Sequence, residues 1–433
     1  MSPEWIGILG LIVMVVLLLL RVPVGVAMIA VGIVGFALIT NPRAALSRLG
    51  SDAFFGASLY SLSVIPLFVL MGLLLASAQL GADVYKAIDV FLWKLRGGLG
   101  VATIGAAAMF GAVSGSAVAS ATTMSVVAVP EMRRFDYDPG YAAATAAVGG
   151  TLGALIPPSA VLVLYGVLTE EPIGQVLIGG IIPGILCTLI LMGIAHLVVL
   201  ARPHYAPRPA EKPDLTRWGA VRLVWAVPVI FGISMGGIYL GIFTPTEAGG
   251  AGAFLSLLYG VITRRMTWQA FMGALTRTIR TTSFIFMLVI AGQIFGFFLT
   301  NSRIPIELGE WITSLEIAPW LIVTVVFVVY FILGALMDEI AILVIMTPIM
   351  YPVIIALGYS GVWFGVLTIM MLLTGLLMPP VGLITFVVAG VTRIPLGDVF
   401  RGIFPFVGGL AVAIMLVIFF PGLVTWLPDL MVR

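Results

Sequence analysis

The residues of this chain best placed to do chemistry are Ser114, Gly115 and Ser116, which sit inside a stretch from Gly97 to Pro130 that carries no charge over 34 residues. A membrane-spanning helix needs about 20 apolar residues, and two with a turn need more than about 40, so this length suits neither. It suits a re-entrant hairpin of two half-helices, each about 15 residues or roughly 22 Å long, that turn at 114–116. Half-helix ends expose amides at one terminus and carbonyls at the other, with partial charges of opposite sign. Carbonyls with hydroxyls coordinate a hard cation such as Na+; amides with hydroxyls hold a carboxylate. The glycine permits the turn, the serines add oxygens, and Ser120, Thr122 and Thr123 follow within two helical turns.

A second polar interruption lies far along the chain. Asp338 and Glu339 are the only charges between residues 317 and 392. A carboxylate inside a membrane is costly unless partnered, and a Na+ or H+ site is the usual reason for one. Asp338 is the favoured cation ligand, and at least one of the pair can serve as a protonated or helix-capping acid. Two proline pairs, Pro157-Pro158 and Pro379-Pro380, remove backbone donors and free carbonyls in otherwise helical stretches. Thr151, Ser159 and Thr374 offer oxygens close to these breaks. Glu247 reads as a helix cap, and Arg303 as a surface residue near a helix end.

The elements that hold these groups must be membrane helices. Hydrophobic residues make up 61% of the 433, charged residues only 9%, and mean hydropathy is +1.21; a soluble globule carries about 25% charged residues. The expected class is an all-α polytopic membrane protein, and no stretch is long enough for a soluble domain. Glu4 stands where a secretory leader would be basic, so the first helix is read as retained. One cysteine, Cys187, and two histidines exclude an internal disulfide and argue against a transition-metal site.

Aligning Pro158 with Pro380 sets an offset of 222 residues, at which five proline pairs coincide: Pro23 with Pro245, Pro130 with Pro352, both members of the two breaks, and Pro183 with Pro405. Chance would give about one. Gly10, Gly153 and Gly180 likewise meet Gly232, Gly375 and Gly402. The chain therefore divides into a first unit, 1–201, a linker, 202–222, and a second unit, 223–433. Each unit is expected to hold about five crossings, one hairpin (about 97–132 and 319–352) and one broken helix (about 140–168 and 362–390). Five is odd, so the second unit must be inverted relative to the first, as in many secondary transporters. Placing the basic loop with Arg202, Arg208, Lys212 and Arg217 in the cytoplasm leaves only Arg43, Arg48, Arg303 and Arg433 of the 21 Lys and Arg residues outside, which satisfies the positive-inside rule. Both termini then lie outside, and the hairpins enter from opposite faces with their tips near the midplane.

Taken in order, SGSAVAS at 114–120, IPPS at 156–159, FTPTEAGG at 243–250, Met337-Asp338 and MPPVG at 378–382 resemble the large membrane subunit of TRAP transporters, the tripartite ATP-independent periplasmic carriers, over essentially the whole chain. The resemblance implies Na+-driven uptake of a small carboxylate through the cytoplasmic membrane of a bacterium or archaeon, by elevator-type movement. It implies two separate partners, a four-helix small membrane subunit and a periplasmic substrate-binding protein, and no organic cofactor. Carried onto matching positions, it makes Ser114, Gly115, Thr151, Gly334 and Asp338 cation ligands, and turns Ser116, Ser159 and Thr374 toward substrate. The chain departs from the family pattern at Ala117, Ser120, Met371 and Met378, where polar residues are usual. Fewer polar ligands bear on the substrate, on the cation count and on whether the coupling ion is Na+ or H+. A self-sufficient Na+ or H+ symporter of organic anions with the same fold is the competing reading. An enzyme is not supported: no His cluster or nucleophile elbow is present, and GGLGVATIG at 97–105 follows no strand. Nothing suggests nucleic acid.

Overall fold

Uncharged runs punctuated by proline, glycine and short polar residues become helices with defined ends. The computed structural model describes residues 2–206, 213–314 and 317–431, and among them the chain is helical with no strand. The first unit holds α1 (Pro3–Leu19), α2 (Val24–Ile39), α3 (Pro42–Ser58), α4 (Val64–Ser77), α5 (Leu80–Leu92), α6 (Gly98–Ser114), α7 (Ala117–Arg134), α8 (Pro139–Leu155), α9 (Ala160–Thr169), α10 (Ile173–Gly179) and α11 (Ile181–Ala201). A short α12 (Arg217–Leu223) follows. The second unit holds α13 (Ala226–Tyr239), α14 (Pro245–Ile262), α15 (Trp268–Asn301), α16 (Ile304–Ser314), α17 (Pro319–Gly334), α18 (Glu339–Ala356), α19 (Gly361–Gly375), α20 (Leu383–Thr392), α21 (Leu396–Phe419) and α22 (Gly422–Asp429). Arg208, Lys212 and Arg433, which entered the charge count, lie outside the described residues.

Starts are set by the expected chemistry. Proline occupies the first position of α3, α8, α14 and α17, where its missing N–H is not needed. Asn41, Asp138, Thr244 and Ser360 accept first-turn amides of α3, α8, α14 and α19. Glu247 closes a capping box with Thr244, the structural role its position suggested.

Element bounds recur at the 222-residue offset. Shifted by it, α7 coincides with α18, and α6, α8 and α9 fall within two residues of α17, α19 and α20. Both proline pairs carry a cis peptide bond. One departure stands out: α3 and α4 are separate, joined by a 3-10 turn at Tyr60–Ser63, whereas the second unit runs through as the single 34-residue α15. Pro66 sits in the first turn of α4, where proline is tolerated, and its counterpart is Leu288, which does not interrupt a helix.

Six helices, or helix pairs, among the described residues are long and apolar enough to cross a membrane. The outer faces are greasy, with Leu19 78% and Trp268 74% exposed, as lipid contact requires. The interior is centred on α8, which is buried from Gly140 to Leu155. Its glycines bring backbones together: a Cβ on Gly150 would lie 2.5 Å from Cα of Ala121. The two units are joined by side chains as well. Tyr165 donates to the Gly361 carbonyl at 2.7 Å, and Arg265, between α14 and α15, pairs with the buried Asp83 of α5.

The amphipathic α5 is not among the helices able to cross, and it carries a strained carboxylate. Burial first, then the Glu131 carboxylate of α7, push Asp89 from 3.8 up to about 6, and its Oδ1 is buried without a hydrogen-bond partner. A folded-state pKa above the unfolded value means that the folded chain binds the proton more tightly, so stability falls as pH rises from about 4 to about 6. Asp89→Asn is expected to raise the thermal midpoint at about pH 7.5 and to leave it unchanged near pH 4. A neutral-pH midpoint no higher than the parent's would reject the burial penalty.

Candidate functional site

Where α6 stops and α7 starts, Gly115 adopts φ +64°, the left-handed conformation that glycine accepts most readily, and Ser116 caps α7 by accepting the Ala119 amide at 3.3 Å. Ser120 bridges the two arms, donating to the Ala107 carbonyl at 3.1 Å. The turn is seated on the first proline break: Ala160 N–H donates to the Gly115 carbonyl at 3.4 Å, and a Cβ on Gly115 would collide with the Pro158 carbonyl. A Cβ on Gly153 of α8 would lie 2.7 Å from the Ser116 carbonyl, and one on Gly72 of α4 would meet that of Ser114. Four helix ends, those of α6, α7, α8 and α9, thus converge within van der Waals contact, bringing carbonyls and amides together.

The second turn, between α17 and α18, is built alike. Val381 and Gly382 N–H, just past the second proline break, donate to the Ala335 carbonyl at 3.1 and 3.4 Å. Gly334 packs so closely that a Cβ there would lie 3.2 Å from Cα of Gly375. Asp338 caps α18, its Oδ1 accepting from Ile340 and Ala341 at 3.0 and 3.4 Å.

A cavity of about 120 Å³ opens beside the first turn. Ser114, Gly115 and Ser116 line it with Ala160 of α9, Gly72 of α4, Thr281 and Ile285 of α15, and Glu339 of α18. The structure thus brings Ser114, Gly115 and Ser116 together on one wall, and it adds Glu339 rather than Asp338 to that wall. Thr151, Ser159, Gly334 and Thr374 are buried near the breaks and do not line the cavity. Their hydroxyls are engaged: Thr151 donates to the Val148 carbonyl and Thr374 to that of Met370, both at 2.7 Å, and Ser159 donates to Ala154 while capping α9. A hydroxyl so engaged keeps lone pairs for a cation but has no proton left for a carboxylate. Ser116 differs, since its oxygen only accepts within the protein and its proton is free to be donated. Thr281 and Gly72 were not anticipated, because they come from helices remote in sequence and carry no motif.

The arrangement has known relatives. The family model for the DctM component of the tripartite ATP-independent periplasmic transporter matches residues 11–423. The chain belongs to this family. Among DctM proteins it is 32% identical over 373 residues to the C4-dicarboxylate TRAP transporter large permease protein DctM of Pseudomonas aeruginosa, covering 86% of each chain. It is 31% identical over 420 residues to the sialic acid TRAP transporter large permease protein SiaM of Vibrio cholerae, covering 96% of each. These DctM relatives are permease subunits of transporters, not enzymes. The fold is shared with the crystal structure of the Alcanivorax borkumensis YdaH transporter, at a TM-score of 0.61, 15% identity and 88% coverage of both chains.

Proposed function

We propose that this DctM-family chain is the large membrane subunit of a Na+-coupled tripartite carrier that imports a small organic acid across a bacterial cytoplasmic membrane. One observation carries the reading: two turns, each built from converging helix ends and each seated on a proline break, flank a small cavity with a hydroxyl-lined wall. Loose backbone groups deep in a membrane chain belong where they line a cavity or hold a ligand. Cations are assigned to Ser114, Gly115 and Thr151 at the first turn and to Gly334 and Asp338 at the second. Substrate is assigned to Ser116; Ser159 and Thr374 support it by fixing the breaks behind the cavity. Partners are a small four-helix membrane subunit and a periplasmic protein that delivers the acid. Both termini are placed on the periplasmic side. Transport is of elevator type, with α6–α9 and α17–α20 carrying the site past α4 and α15.

Co-reconstitution in liposomes tests this. Uptake should require an inward Na+ gradient and both partners; uptake by the chain alone would establish the self-sufficient symporter instead, and uptake indifferent to Na+ would remove the coupling assignment. Within the complex, Ser116→Ala removes one hydrogen bond to substrate, about 1 kcal/mol, so apparent affinity should weaken about fivefold with insertion unchanged. An unaltered affinity would take Ser116 out of the site.

A further inference from the structure

The central cavity is small and its charge is of one sign. Among the described residues its one charged wall group is Glu339, 8% exposed, with Oε2 buried and without a hydrogen-bond partner. The Ser114 hydroxyl on the other hairpin is also buried and unpartnered. Among the described residues no Lys, Arg or His lines this space. A larger cavity, about 960 Å³, between the α9–α10 turn, α15 and α18 repeats the pattern: Glu170 and Glu171 line it with Gln293, Thr347 and Tyr351, and among the described residues again no basic side chain does. A dianion here would meet carboxylates and no guanidinium or ammonium. A buried carboxylate without a partner is unfavourable, and a cation set against it removes that penalty. The volume, about 120 Å³, is comparable to that of an engineered cavity of about 150 Å³ that holds benzene, and restricts the ligand to a small acid.

We propose that the central cavity takes a small zwitterionic acid, its carboxylate toward the Ser114–Ser116 turn and its cationic nitrogen against Glu339. Glu339 is then a specificity-determining residue that separates amino- or ammonio-acids from dicarboxylates. The inference rests on the transport reading above. A coupling cation held by Glu339 is the rival explanation of the same unpartnered carboxylate, and the experiment is built to separate them.

The large and small subunits, co-purified in lipid nanodiscs, are titrated in Na+ and in K+ with matched probes, and binding is read as ligand-induced thermal stabilisation. The probes are glycine betaine against its isostere without the cationic nitrogen, 3,3-dimethylbutyrate, β-alanine against its isostere butyrate, and succinate. In Na+ the zwitterions should bind at least tenfold more tightly than the isosteres and succinate. Glu339→Gln should erase that gap while leaving stabilisation by Na+ alone intact, and Glu339→Asp, which keeps the charge, should preserve it. Succinate or an isostere matching the zwitterions on the parent protein would overturn the proposal without touching the transport reading. So would a Glu339→Gln variant that keeps the preference but loses its response to Na+, which would place the cation there. If none of these acids stabilises the complex in Na+, this inference falls, and the transport reading is decided separately by Na+-driven, partner-dependent uptake in liposomes.

Discussion

Gly115→Ala is expected to cut uptake on the order of 100-fold at unchanged membrane insertion. At φ +64° a side chain is disfavoured, and here the added carbon would also strike the Pro158 carbonyl, which is backbone and has no rotamer to yield. Strain of this kind amounts to about 3 kcal/mol, enough to unseat the turn from the break in most molecules. The consequence is specific to the site: the Ala160 to Gly115 hydrogen bond is lost, and the carbonyls of Ser114 and Gly115 no longer point where the other helix ends converge. Gly193→Ala in α11 is the control, since nothing lies within 4 Å of its added carbon, and it should transport normally. Initial uptake rates per inserted protein decide the matter; parental transport by Gly115→Ala would show that the turn is not rigidly seated.

The second large effect concerns Asp338, whose two possible roles can be separated. As the cap of α18 it accepts two backbone amides through Oδ1. Asparagine caps a helix about as well as aspartate, whereas alanine loses about 1 kcal/mol. Asp338→Asn should therefore keep the parental melting temperature and yet abolish Na+-driven uptake, because a neutral amide is a poor substitute for a carboxylate beside a cation. Asp338→Ala should lose both. If Asp338→Asn transports with undiminished Na+ dependence, the residue is a cap and nothing more.

Much of this was legible in the sequence, and the reasons are local. A 34-residue uncharged stretch with a Ser-Gly-Ser interruption is too short for two spans, and the helix ends fall at Ser114 and Ala117. The offset set by two proline pairs carries through to element bounds, because proline and glycine act on their own backbone. What escaped depends on packing. Polarity near the breaks suggested that Thr151 and Thr374 present hydroxyls to a ligand, yet both bond back to their own helix, the usual fate of a threonine buried in apolar surroundings. Of two adjacent acids, the sequence favoured Asp338 as the group facing the site. Asp338 is the extended N-cap and turns its carboxylate back onto the Ile340 and Ala341 amides, so the acid on the cavity wall is Glu339, the first residue of α18. Thr281 belongs to α15, whose continuity through the region corresponding to the α3–α4 break was not expected either.

The claim on which the rest depends is that the two hairpins enter the membrane from opposite faces, and site-directed labelling tests it most directly. Arg134 and Ala356 end α7 and α18, correspond at the 222-residue offset and are both exposed. With the buried Cys187 replaced by serine, Arg134→Cys and Ala356→Cys are each treated with a membrane-impermeant maleimide in intact cells and in inside-out vesicles. The account predicts that Arg134→Cys reacts only in the vesicles and Ala356→Cys only in the cells; reaction of both from the same side would contradict it.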